Sequence, residues 1–93
     1  MNSILIAPAG WEERYLLGVH ADIEQFQPKK IVVPFSMQYK DRTAESREKI
    51  SSYANSNGIE YIERMMDYQS SASLYQDILS ICTEHCVYAT IRL

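Results

Sequence analysis

Two stretches of the chain gather side chains able to bind or transform a ligand. The first is Pro8-Ala9-Gly10-Trp11-Glu12-Glu13-Arg14. Gly10 permits a positive φ or a close backbone approach, and the free N–H groups of a following helix turn can hold an anion. Trp11 can stack on a base and Arg14 can pair with a phosphate. A plainer reading gives Gly10 a turn, makes Trp11 an apolar lid, and leaves Glu12 and Glu13 to complement a helix dipole. The second stretch is Ser36-Met37-Gln38-Tyr39-Lys40-Asp41-Arg42-Thr43. Lys40 and Arg42 beside a helix start suit a phosphate-bearing ligand, with Ser36 and Tyr39 at hand as a hydroxyl and a second ring. Residues 29–49 hold six of the nine basic residues and carry +3, while the rest of the chain carries −6. Arg47 and Lys49 read as a solvated helix face, with Glu45 and Lys49 as an i,i+4 pair.

Other constellations carry less. Cys82-Thr83-Glu84-His85-Cys86 puts three potential metal ligands within five residues, but a structural zinc site needs four. No metal and no cofactor is therefore expected. Neither G-x-G-x-x-G nor G-x-x-x-x-G-K is present, which argues against NAD-dependent oxidoreductases and P-loop NTPases. Ser36 and the serines at 70, 71 and 73 lack a positioned histidine for nucleophilic catalysis. Glu13 can act as the carboxylate of a glycosyl-transfer or NAD-cleaving site, with Asp67 as its only visible companion.

The elements that must position these residues alternate. Ile4-Leu5-Ile6-Ala7 is a short apolar run of the kind buried on both faces of a parallel sheet. From Glu12 the period becomes helical, with Tyr15, Leu16, Val19, Ile23 and Phe26 on one stripe as far as Pro28. Ile31-Val32-Val33 is a second strand, whose ladder Pro34 is expected to end. A mostly polar surface helix follows to about Ser56, capped by Asp41 or Thr43, with Ala44, Ile50, Tyr53 and Ala54 as a thin apolar stripe. Asn57-Gly58 stops it. Ile59 to Met65 alternates like a half-exposed edge strand. A third helix is expected to present Leu74, Ile78, Ile81 and Cys82, before a fourth strand over residues 87–91.

This pattern predicts a single α/β domain over residues 1–93: a small, Rossmann-like, three-layer βαβαβαβ unit with a mainly parallel four-stranded sheet in the order 3-2-1-4, with 2-1-3-4 as the other option. Ligands of such sheets bind beyond the carboxyl ends of the strands, where the order reverses. At 93 residues, 46% hydrophobic and 23% charged, the chain falls in the globular range. Two cysteines suit a reducing compartment, and neither a membrane-spanning run nor a signal-peptide core is visible, so a cytoplasmic protein is expected. A net charge of −3 disfavours duplex nucleic acid as a partner.

Seven tyrosines suggest wet edges and interfaces. On the last strand Tyr88, Thr90 and Arg92 alternate with apolar residues, so one face of that strand is expected to meet another chain.

A strand leading into Gly10-Trp11-Glu12-Glu13-Arg14 resembles the first loop of CRISPR-associated Rossmann-fold (CARF-like) sensor domains and related prokaryotic regulators. The polar second helix, Gly58-Ile59-Glu60-Tyr61-Ile62 and the Asp67 loop are similar to that group in layout. The resemblance implies a homodimeric sensor of oligonucleotide second messengers in antiviral defence, with Gly10, Trp11, Glu13 and Arg14 as ligand contacts, and Ser36, Lys40 and Arg42 beside them. Those domains carry a Gly- and Thr-rich ligand loop after strand four, where this sequence has only Arg92-Leu93, so either half of such a site is missing or a partner supplies it. Together these readings point to a non-enzymatic module for a phosphate-bearing nucleotide, acting as a homodimer or regulatory subunit. Ligand contacts are expected at Gly10, Trp11, Glu13, Arg14, Ser36, Tyr39, Lys40 and Arg42. The alternative is a subunit that docks a partner protein through its tyrosines and terminal strand.

Overall fold

The computed structural model describes residues 3–66, 76, 79–80 and 88–91. It is an α/β fold built on a parallel sheet. Strand β1 (Ser3–Ile6) leads to helix α1 (Glu13–Phe26), then to strand β2 (Lys30–Ser36). A single 3-10 turn at Met37–Tyr39 feeds helix α2 (Lys40–Ser56), which returns to strand β3 (Glu60–Met66). The backbone of Tyr88–Ile91 (β4) pairs in parallel with β1, and the order across the sheet is β3-β2-β1-β4. Residues 76, 79 and 80 are helical, and the rest of the expected third helix, with its apolar face at Leu74, Ile78, Ile81 and Cys82, lies outside the described residues.

Register sorts the side chains onto two faces, because partners across a parallel ladder point the same way. Leu5 pairs with Ile31 and Ile31 with Tyr61; Val33 pairs with Glu63. This face meets the helices: Leu5, Ala7, Ile31 and Val33 form one cluster with Val19 and Ile23 of α1 and Ile50 and Ala54 of α2. Ile4, Ile6, Val32, Pro34 and Ser36 alternate onto the other face and are buried as well. A strand core closed to water on both faces explains the uninterrupted apolar runs of β1 and β2.

Two expectations need correction. Pro34 does not end the β2 ladder, which continues to Ser36 opposite Met66. The Ala7 N–H donates to the Val32 carbonyl, so the next ladder bond would run from the N–H of residue 34 to the Ala7 carbonyl. Proline has no N–H to give. The Tyr15 hydroxyl of α1 donates to that carbonyl instead, at 3.2 Å, and the Pro34 carbonyl accepts from Ala9 N–H at 2.8 Å. The tyrosine thus stands in for the missing donor.

Neither Asp41 nor Thr43 caps α2, whose amino end continues out of the 3-10 turn with no side-chain cap. Thr43 points inward, its hydroxyl donating to the Tyr39 carbonyl at 2.9 Å. α2 is the mostly exposed helix expected, and Ile50, Tyr53 and Ala54 of its apolar stripe pack inward, but Ala44 is exposed and the polar residues Thr43, Ser46 and Arg47 are buried in its place. Its carboxyl end stops as expected at Asn57, with Gly58 at φ +69°, where a β-carbon would be strained.

Candidate functional site

Both chemistry-bearing loops emerge from the carboxyl ends of neighbouring strands, β1 and β2, and each enters a helix on the same face of the sheet. They meet at three side chains. The Trp11 indole and the Tyr39 ring lie 5.3 Å apart, tilted by 37°. The guanidinium carbon of Arg42 sits 4.1 Å from the centre of the Trp11 ring. Arg42 is the third residue of α2, so the helix start carries this cation to the indole of the preceding loop. A guanidinium lying over an aromatic face keeps its N–H edge free for a carboxylate or phosphate.

A second tie fixes the first loop. The Ser46 hydroxyl, on the buried face of α2, donates to the Gly10 carbonyl. Gly10 has no positive φ, and its need is space: a β-carbon there would lie 3.0 Å from Cγ of the Tyr15 ring. Its role is close packing against α1.

Below Trp11 and Arg42, the amino-terminal halves of the two helices border a groove of about 420 Å³. Trp11, Glu13, Leu17 and His20 line it from the α1 side, and Arg42 and Lys49 from the α2 side. His20 stacks on Tyr53, with centroids 4.2 Å apart, and its Nε2 has no hydrogen-bond partner among the described residues. The expected Glu45–Lys49 pair is present at 3.2 Å, with both side chains more than half exposed.

Of the eight expected ligand contacts, Trp11, Tyr39 and Arg42 cluster directly, while Glu13 shares the groove with Trp11 and Arg42. Arg14 and Lys40 are exposed. Ser36 does not face the helices with the others; it belongs to the opposite face of β2, is 6% exposed, and its hydroxyl has no hydrogen-bond partner among the described residues. Glu12 and Glu13 supply negative charge at the amino end of α1, which offsets the positive end of that helix.

The expectation that Arg47 lies on a solvated face is overturned. Arg47 is 8% exposed and spans from α2 to β3. Its Nη1 donates to Glu63 at 2.9 Å, Nε to the Thr43 hydroxyl at 3.0 Å and Nη2 to the Lys40 carbonyl at 2.7 Å. Its guanidinium carbon lies 4.0 Å from the centre of the Phe35 ring. Tyr61 donates to the other Glu63 oxygen at 3.0 Å. Burial, and then this bond to Glu63, hold the Tyr61 hydroxyl well above the usual tyrosine pKa. This assembly locks α2 onto the edge strand and holds the start of α2, where Arg42 sits.

The chain matches no protein-family model, no curated protein and no solved structure. Among the described residues, no group of three or more His, Cys, Asp or Glu side chains could hold a metal ion. Asp67, Arg92 and the residues from Cys82 to Cys86 lie outside the described residues, while Tyr88 and Thr90 are placed by their backbone on β4. No helix among the described residues is long and apolar enough to cross a membrane.

Proposed function

We propose that this chain is a non-enzymatic binding module for a phosphate-bearing nucleotide, held at the carboxyl edge of a small Rossmann-like sheet of four parallel strands. The observation that carries this reading is Arg42 laid over Trp11, with Tyr39 against the same indole. That contact makes one surface out of two loops beyond the carboxyl ends of β1 and β2, beside the β1–β4 reversal at which ligands of open parallel sheets gather. Arg42, oriented by the indole, offers its N–H fork to phosphate oxygens. Exposed Lys40 and Arg14 add positive charge at the starts of the two helices. The exposed edges of Trp11 and Tyr39 give the base an apolar surface. The layout resemblance to CARF-like sensors supports a regulatory or defence setting, with an oligonucleotide messenger as one form of the ligand.

Trp11 is the only tryptophan, so its fluorescence reports on the site directly. Titration with ATP, GTP, CTP, UTP and a 5′-phosphorylated diribonucleotide is expected to give a saturable change for at least one of them. The double variant Arg14→Ala, Arg42→Ala removes two charge-assisted contacts at ~1.5–3 kcal/mol each, so affinity falls by about 100-fold or more. Both residues are exposed, and the melting temperature stays nearly unchanged. No response to any of these probes, or equal affinity in the double variant, refutes the reading.

A further inference from the structure

We propose that Arg47 is the positioning residue of the candidate ligand site: it clamps the Met37–Tyr39 turn from both ends and so holds Tyr39 and Arg42 against Trp11. Its effect on ligand affinity rests on the nucleotide reading, whereas its effect on the surroundings of Trp11 does not.

Among the described residues, little else shapes this turn. None of its three residues is buried, and neither the turn nor the start of α2 has a side-chain cap. Met37 at its head is 61% exposed. A segment with few buried contacts opens easily, so a defined arrangement here needs a constraint from outside it. Tyr39 and Arg42 nevertheless both meet the same indole.

Arg47, further along α2, supplies the constraint. Before the turn, its guanidinium carbon lies 4.0 Å from the centre of the Phe35 ring, near the end of β2. After the turn, its Nη2 donates to the Lys40 carbonyl at 2.7 Å. Its Nε donates to the Thr43 hydroxyl at 3.0 Å, which leaves the single proton of that hydroxyl for the Tyr39 carbonyl at 2.9 Å. Two consecutive carbonyls at the head of α2 are thus held, one directly and one through Thr43.

The edge strand sets Arg47 in turn. One oxygen of Glu63 accepts from Nη1 at 2.9 Å and the other from the Tyr61 hydroxyl at 3.0 Å. Hydrogen bonds therefore run unbroken from β3 to the ligand loop. A lysine would keep a charge opposite Glu63. It has neither the planar face that lies over Phe35 nor the fork that reaches Thr43 and Lys40 together.

Trp11 is the only tryptophan, so its near-ultraviolet circular dichroism and the quenching of its fluorescence by acrylamide read the clamp without any ligand. Arg47→Lys, at a temperature where its far-ultraviolet spectrum is native, should weaken the Trp11 dichroism and raise the quenching. Glu63→Gln should shift both in the same direction, and it decides the matter if Arg47→Lys does not fold. Ile59→Val loosens the core at the amino end of β3, away from the ligand loops, and should leave both readings at wild-type values. Affinity for ATP, GTP, CTP and UTP, where wild-type protein binds them, should fall by about 2- to 30-fold in Arg47→Lys. Folded Arg47 and Glu63 variants whose Trp11 readings match those of Ile59→Val overturn the proposal. So does unchanged affinity in Arg47→Lys for a nucleotide that wild-type protein binds. Shifted Trp11 readings in a protein that binds none of these nucleotides uphold the clamp and refute the nucleotide reading alone.

Discussion

Arg47 shows how one side chain can set the position of a helix. Its guanidinium leaves water for two side-chain oxygens, a backbone carbonyl and an aromatic face, so its donors and its planar surface are both used. Arg47→Ala should lower unfolding free energy in urea by about 2–3 kcal/mol, less than the ~3–5 of a fully buried pair because Glu63 still reaches water. A loss under about 0.5 kcal/mol, the range of an ordinary surface change, would mean that Arg47 does not hold α2 to β3. Tyr61 gives a pH signature to the same cluster. Its raised folded-state pKa means that stability is fully present below the unfolded value of about 10 and declines as pH rises above it. Between about pH 9 and pH 11, wild-type protein should therefore lose stability more steeply than Tyr61→Phe. Equal slopes would place the hydroxyl in a solvated setting. The ligand-facing residues were legible one by one from their types: Trp11, Tyr39 and Arg42 do converge. Ser36 was not, because its loop position says nothing about which side of β2 its hydroxyl takes.

At the scale of elements, α2 is where reading by residue type misleads. Its buried positions 43, 46, 47, 50 and 54 keep helical spacing, but three of the five are polar. A search for apolar residues finds Ile50 and Ala54 and misses Thr43, Ser46 and Arg47. The spacing alone, regardless of type, would have found the stripe. The fates of its polar members explain the pattern: Ser46 binds the Gly10 carbonyl, while Thr43 and Arg47 bind one another. β2 presents the reverse case, a correct strand assignment cut short by a general rule about proline. Tyr15→Phe tests the compensation. Removing the hydroxyl leaves the Ala7 carbonyl unpaired in a buried strand end, at a cost of about 1–2 kcal/mol in urea unfolding. An unchanged midpoint would mean that another donor serves that carbonyl. β1, α1 and β3 form where the sequence pattern places them, but Phe26, expected on the buried stripe of α1, is exposed, and burial along β3 does not alternate strictly.

At the scale of the whole molecule, parallel strands joined by helices bring both loops to one edge and both helix starts beside it. The parallel α/β character follows from the alternation of elements along the chain, whereas the choice of β3-β2-β1-β4 over the alternative order does not. How the chain is completed around β1 and β4 does not follow from it, since crossover geometry is fixed by tertiary packing. In the present account one corner of this molecule is the ligand site: Arg42, laid over Trp11, takes a phosphate. The most direct test is native mass spectrometry of the purified full-length chain, before and after incubation with ATP, GTP and a 5′-phosphorylated diribonucleotide. The account predicts one nucleotide bound per protomer, lost in the Arg14→Ala, Arg42→Ala double variant. Wild-type protein that carries no nucleotide in either condition would contradict it.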